Sequence, residues 1–396
     1  MGGINMFRPL EDIKIVELST ATAGPAATKL LIEYGAQSIL VEPKGGIPNR
    51  NLPPHFDFSF THKRSIIIDL KTEKGKALMY HLIENADVFM SNYRYKALKK
   101  LGFDYDTLHE KYPKLICAYL TGYGEYGDMK DDPGFDNTAF WGRAGLLHDM
   151  IDSSTNTLPV SPSAVGDITS GAMLAMGILA AIRNRDKNGV GTKVTTSLLE
   201  VGLYLNHSQM IFNQLGVKYP KSRLTTNRAM SNSYPAKDGY FYLITLNFQK
   251  DFNKLVTSIG RPDLVGDPRW TCMEDTQNEG ALELRKIFDE AFSKFTLAEL
   301  REIFKKNDMA FGEFRSCEDE LHDPQAEANG YLSKIHYKDG REIIIPNSPV
   351  QFDNETAMEV TPAYAAGENT IEILKENGYS EQEIKELLDE NCVKTN

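Results

Sequence analysis

Residues 13–43 read IKIVELSTATAGPAATKLLIEYGAQSILVEP. An apolar, β-branched run (IKIVELS) passes through small residues into a helical pattern (AATKLLIEYGA) and emerges as a second β-rich run (QSILVEP). Strand, helix and strand within about 30 residues is the spacing of a βαβ unit, and a connection of that length makes its two strands parallel.

The alternation continues outward from this unit. SIIIDL, the helical KTEKGKALMYHLIENA and DVFMSN follow it, then the short helices KALKKLG and YDTLHEKY and the apolar strand KLICAYLTGYG. Residues 163–182, SAVGDITSGAMLAMGILAAI, read as a buried helix of about five turns, and KVTTSLLEVGLYLNHSQMIF reads as a strand running into another helix. This order predicts an α/β fold with a Rossmann-like parallel sheet.

After about residue 220 the pattern changes. A polar, turn-rich stretch, TTNRAMSNSYPAKDG, leads into the strand GYFYLITL and helices around FNKLVTSIG, ALELRKIFDEAFSKF and LAELREIFKK. The expected organisation is a large domain over 1–224 and a smaller α+β domain over 225–330. Residues 331–396 hold the strand pattern HYKDGREIIIP and the amphipathic SEQEIKELLDEN, and are expected to complete the large domain, although pattern alone leaves that pairing open.

At 396 residues the chain exceeds what one hydrophobic core usually serves, which also argues for two domains. The net charge of −11 speaks against a nucleic-acid binder, so any anionic ligand must be met by local basic residues. The reading expects no membrane span and no leader, the start MGGINMFRPLEDIK lacking a basic segment followed by an apolar one, and therefore a cytoplasmic protein. Four cysteines without CxxC spacing and eight scattered histidines without HExxH give no expected disulfide and no expected metal site.

GYGEYG at 122–127 matches GxGxxG after a strand, but DMKDDPG follows it where a helix should open. It is read as a glycine-rich loop at a strand end. No GxSxG occurs, which removes the nucleophile-elbow hydrolases. Asp167 remains, an acid at the mouth of the most apolar segment, where the plain role is to cap the helix.

Seven segments taken together resemble the class III CoA-transferases, the group of formyl-CoA, carnitine and bile-acid CoA-transferases. They are ELSTATAGPAATKLLIEYGAQSILVEP, KRSIIIDLKTEKGKAL, DVFMSNYRYKALKKLGFDYDTL, PKLICAYLTGYGEYG, PGFDNTAFWGRAG, GDITSGAMLAMGILAAI and NGVGTKVTTSLLE, in order over 11–205. The middle segments are most similar to enzymes that pass CoA between 2-hydroxy acids and acyl-CoAs in amino-acid-fermenting anaerobes, with phenyllactate and 2-hydroxyisocaproate as substrate types. A carnitine- or bile-acid-type transferase is the alternative, and an acyl-CoA racemase a lower-ranked one.

The resemblance implies that Asp167 is the nucleophile, forming an aspartyl mixed anhydride and then an aspartyl-CoA thioester. It implies that Asp136 orients Asp167, binds substrate or caps a helix. For acyl-CoA, a substrate and not a resident cofactor, it implies Thr20, Ala21, Thr22 and Ala23 at the first strand's turn, Lys44 and Lys100 on phosphate, Ile68 and Leu70 beside the adenine, and Asn92 at a strand end. Phe135 takes the place of the racemases' histidine and, with Phe140 and Trp141, is a candidate for an apolar acyl pocket. The family further implies an interlocked homodimer acting on acyl-CoA and carboxylic acids, with no nucleic-acid or membrane partner.

Overall fold

In the computed structural model the described residues are 8–152, 155–217, 222–352 and 358–396, so Met6 and the start of the chain lie outside them. The chain divides into two compact units. One comprises Met1–Leu146, Ser161–His207 and Asp323–Asn396, the other Leu147–Val160 and Ser208–His322.

The large unit is built on a seven-stranded sheet. Its strands are β1 (Lys14–Leu18), β2 (Gln37–Glu42), β3 (Lys63–Ile68), β4 (Val88–Ser91), β5 (Ile116–Thr121), β6 (Lys193–Ser197) and, last in the chain, β12 (Val393–Lys394). They lie in the order β12-β3-β2-β1-β4-β5-β6. All neighbours pair in parallel except β12, which runs antiparallel to β3.

Because side chains alternate across a strand, each strand feeds two cores. Ile15, Val88, Met90, Ile116 and Ala118 face one side, whereas Val16, Phe89, Cys117 and Tyr119 face the other. Helix α1 (Ala23–Glu33) joins the first core, and α2 (Glu73–Glu84) joins the second. Thr72 caps α2 by accepting the Gly75 N–H at 3.0 Å.

Helix α3 (Tyr95–Leu101) follows β4, and α4 (Val165–Asn188) crosses the first core. Helix α4 is long and apolar enough, by length and composition, to cross a membrane, which corrects the expectation that no stretch comes near that limit. Here it is a core helix. A Cβ at Gly171 would stand 2.7 Å from the Ala23 carbonyl oxygen and from Ala26 Cβ, so glycine is what lets α4 lie directly on α1.

Among the elements with no counterpart in the sequence reading are the edge strand β12 and a π-helix at Asp136–Arg143, whose wider turns repeat with no simple apolar period. The GYGEYG stretch is the loop after β5, with Gly124 and Gly127 at positive φ in open space. The hairpin of β10 (Leu332–His336) and β11 (Glu342–Pro346) also belongs to this unit, where Tyr337 Oη donates to Asp57 at 2.5 Å.

The small unit has a three-stranded antiparallel sheet in the order β7-β8-β9, formed by Ser231–Pro235, Tyr240–Ile244 and Ala310–Glu313. Helices Phe248–Ser258, Asn278–Phe292 and Leu297–Lys306 cover it around an aromatic core that includes Tyr234, Phe241, Phe288 and Phe304.

Candidate functional site

The strand order reverses between β1 and β4. In open parallel sheets the loops that leave such neighbouring strands diverge and leave a crevice at their carboxyl ends. Here Asn92, just past β4, closes the crevice floor by a reciprocal pair of bonds. Its amide donates to the Thr20 carbonyl at 2.6 Å, and its carbonyl accepts the Thr20 N–H at 3.0 Å. A Cβ on Gly24 would approach Asn92 to 3.1 Å, so the first glycine of α1 makes room for that brace.

Beyond the brace, Ala21 adopts φ 57° and gives its N–H to Asn49 Oδ1 at 2.9 Å. Thr22 points elsewhere, its hydroxyl 3.3 Å from His55 Nε2. Helix α1 then starts at Ala23 without any side-chain cap. Its first N–H groups and the positive end of its dipole therefore remain available at the crevice.

The crevice is a cavity of about 370 Å³, and Asp167 is in its wall. Of the residues expected at the site, Thr20, Ala21, Ala23, Asn92, Phe135 and Asp167 line it together. Phe135 is 61% exposed, whereas Phe140 is buried and Trp141 packs against the same core, so those two belong to the fold and not to the cavity.

Thr22 and Asp136 are not in the cavity's lining either, and neither are Lys44, Lys100, Ile68 and Leu70. Lys44 forms an ion pair with Asp69 at 2.8 Å, and this pairing holds the Asp69 carboxyl below its ordinary pKa. Lys100 is exposed in the last turn of α3. Ile68 is enclosed in the core at 1% exposure, with Leu70 partly buried against the same core.

The basic residues that do reach the cavity are Arg94 and Lys130, with Asp132 beside them in the lining. Neither cation has a hydrogen-bond or ion-pair partner among the described residues. Arg94 had a visible signal, two residues after Asn92 in SNYR. Lys130 and Asp132 lie in DMKDDPG, the loop that spoiled the dinucleotide fingerprint. The glycines at 122 and 134 let that loop return to the strand end, since a Cβ on Gly134 would sit 2.5 Å from Gly122 Cα.

Asp167 is not the cap of its helix. The capping position falls on Ala164, at φ 62°, and Asp167 lies within the first turn. The cap comes from elsewhere in the chain: Asp136 Oδ1 accepts the Asp167 N–H at 3.1 Å. The N–H groups of Gly166 and Ala164 also favour the Asp136 carboxylate, yet burial outweighs them and its pKa is raised. Gly166 permits this approach, because a Cβ there would fall 2.3 Å from both Asp136 Oδ1 and the Phe140 ring.

Burial, and then the Asp136 charge, push the Asp167 carboxyl up to about 6. Two carboxylates this close titrate as a coupled pair. The Trp141 indole N–H also favours the Asp136 carboxylate, although neither it nor Asp136 Oδ2 makes a hydrogen bond of ordinary geometry. A half-buried carboxylate that shares a cavity with two cations, unpaired among the described residues, and an uncapped helix start has the chemistry to attack an anionic, activated acyl compound.

The chain belongs to CoA-transferase family III, whose model matches residues 10–370. It is an enzyme of the CoA-transferase type. It is 36% identical to the cinnamoyl-CoA:phenyllactate CoA-transferase of Clostridium sporogenes, over 97% of this chain and 96% of that one. It is 35% identical to the (R)-2-hydroxy-4-methylpentanoate CoA-transferase of Clostridioides difficile, over 97% and 99%. Among solved structures, Rv3272 from M. tuberculosis superposes with TM-score 0.82 at 27% identity, covering 93% of this chain and 99% of that one.

Proposed function

We propose that the protein moves CoA from an acyl-CoA donor to a 2-hydroxy carboxylic acid, with Asp167 as the covalent nucleophile. The observation that carries the reading is the Asp167 carboxylate in the wall of the β1/β4 crevice, with a pKa near 6 that leaves it mostly ionised at neutral pH. No general base is then required.

In the first step an Asp167 oxygen attacks the thioester carbonyl and CoA leaves as its thiolate, giving a mixed anhydride. The thiolate attacks the aspartyl carbonyl, the donor acid departs as a carboxylate, and an aspartyl-CoA thioester remains. The acceptor carboxylate attacks that thioester and again releases the thiolate. Attack of the thiolate on the acceptor acyl carbon yields the new acyl-CoA and restores Asp167.

The oxyanions along this path need fixed donors. Asp136 draws on the N–H groups at the start of α4, so the donors are those at the uncapped start of α1. Asp136 acts as a positioning residue that holds the Asp167 turn in place. Arg94 and Lys130 counter the charge of CoA and the incoming acid, and Phe135 forms the apolar contact for the acyl chain. A phenylalanine at 135 cannot carry the α-proton of a racemase.

The names of the two clostridial relatives favour an aromatic or branched 2-hydroxy acid from amino-acid fermentation. The large unit serves as the CoA-binding domain, with the thioester as substrate and no resident cofactor. Free cysteines accord with a reducing cytoplasm. Exposed Leu203, Tyr204, Leu205, Met210, Ile211 and Leu215 fit burial in an interlocked homodimer.

Incubation with cinnamoyl-CoA, trapping with hydroxylamine or borohydride and peptide mass spectrometry tests the reading. A label on Asp167 is expected, and a label on any other residue overturns it.

A further inference from the structure

A second cavity, of about 400 Å³, is formed entirely by residues of the small unit. Its walls are of two kinds. Phe212, Val217 and Tyr242 present apolar surface, whereas Asn227, Ser231 and Ser233 present amide and hydroxyl groups.

Two arginines reach it, and they are not equivalent. Arg223 is committed to the fold, its Nε donating to the Ser233 carbonyl at 3.1 Å and its terminal nitrogens gripping Asp289. Arg228 has a fixed backbone, its N–H donated to Thr226 Oγ1 at 3.1 Å and its main chain bridged to Gln277. Yet its guanidinium is exposed and has no hydrogen-bond or ion-pair partner among the described residues. In a chain with 55 acidic and 44 basic residues, an arginine left without a carboxylate while anchored at a cavity is an invitation to one.

We propose that this cavity binds a monocarboxylic acid with an apolar body, its carboxylate on Arg228 and its body against Phe212 and Tyr242. One planar guanidinium offers two parallel N–H groups, which match a carboxylate. A phosphate would call for more positive charge than one free arginine supplies. The volume lies at the small end of organic-ligand sites, the size of an aryl or branched-chain acid. The inference rests on the small unit alone and not on the reaction at Asp167.

The test is to soak crystals of the full-length protein with 4-bromophenylacetate and to titrate 3-phenylpropanoate into the wild type, Arg228→Gln and, as a control for lost charge, Lys254→Gln, an exposed lysine of the small unit outside both cavities. The expected result is a bromine anomalous peak in the small-unit cavity and binding weakened at least tenfold by Arg228→Gln but retained by Lys254→Gln. A bromine found only beside Asp167 overturns this proposal and leaves the transferase reading standing. So does unchanged binding by Arg228→Gln, or inorganic phosphate competing as strongly as the organic acid. If Arg228→Gln does not fold, Arg228→Lys decides in the same way, because it keeps the charge and loses the fork.

Discussion

Two charge pairs of the large unit, one fully enclosed and one at a cavity wall, are built on opposite principles. Beneath α1, Lys63 Nζ meets Glu17 at 3.0 Å, the Pro25 carbonyl at 2.8 Å and Thr28 Oγ1 at 2.6 Å. Ser19 and Thr28 donate to the Glu17 carboxylate. Both charged side chains are fully enclosed, and burial pulls the Lys63 ammonium down to about 8 although Glu17 draws it upward. At the start of α4, by contrast, Asp136 and Asp167 set like charges together. Opposite charges with every lone pair engaged hold the fold. Like charges side by side are tolerated because burial raises both carboxyl pKa values and the pair can hold a proton.

Neutralising Asp167 should have the largest effect. Asp167→Asn should lower transfer by about 10⁴-fold or more, the loss of a covalent route worth about 5–6 kcal/mol. It should also stabilise the protein. A carboxyl whose folded pKa is raised favours the folded state at low pH, and that contribution is lost as pH rises through about 6. At pH 7 the ionised group opposes folding by about 2–3 kcal/mol, so a higher melting temperature is expected and a lower one would contradict the assignment.

Glu17→Gln should do the reverse. It leaves the Lys63 charge buried without its partner and should cost about 3–5 kcal/mol in denaturant titrations. An unchanged midpoint would mean that the pair is not what holds the β1–α1 corner.

Gly166→Ala tests whether the two acids are held in contact by shape. The added methyl group collides with Asp136 and Phe140, and about 1–3 kcal/mol of stability should be lost, with transfer reduced alongside. Full activity in a normally stable variant would show that the turn relaxes freely.

The smallest effect concerns pH. The acid limb of kcat/KM should fall about tenfold per unit below an apparent pKa near 6, because only the ionised Asp167 attacks. Asp136→Asn removes the neighbouring charge that raises it, so the limb should move to lower pH by up to about one unit. A limb that stays in place would leave Asp136 a purely structural cap.

The parallel sheet was legible because its strands are short apolar runs separated by helices of one apolar face, and βαβ spacing allows little else. Asp167, Asn92 and the Thr20–Ala23 turn were expected from the family resemblance and not from periodicity, and of them Asp167, Asn92, Thr20, Ala21 and Ala23 line one cavity. Asp136 was visible as an acid with capping among its roles, but the helix it caps was not, since its partner lies 31 residues further on and no local period links a π-helix to an α-helix start. The lysines expected on phosphate lie outside the cavity. Lys44 and Lys100 occupy positions where a charge is expected, but one is engaged by Asp69 and the other lies outside the cavity, while Arg94 and Lys130 reach it from a neighbouring residue and a returning loop.

The reciprocal Asn92–Thr20 brace has a consequence for how this enzyme could change. It ties both sides of the crevice floor together through one side-chain amide, so even Asn92→Asp, a single-atom replacement, would turn a donor toward the Thr20 carbonyl into a repelling acceptor. That floor is poor ground for selecting new acyl preferences. The loop carrying Lys130, Asp132 and Phe135 has no such anchor to lose, and a library confined to those three positions is where altered substrate choice should first emerge.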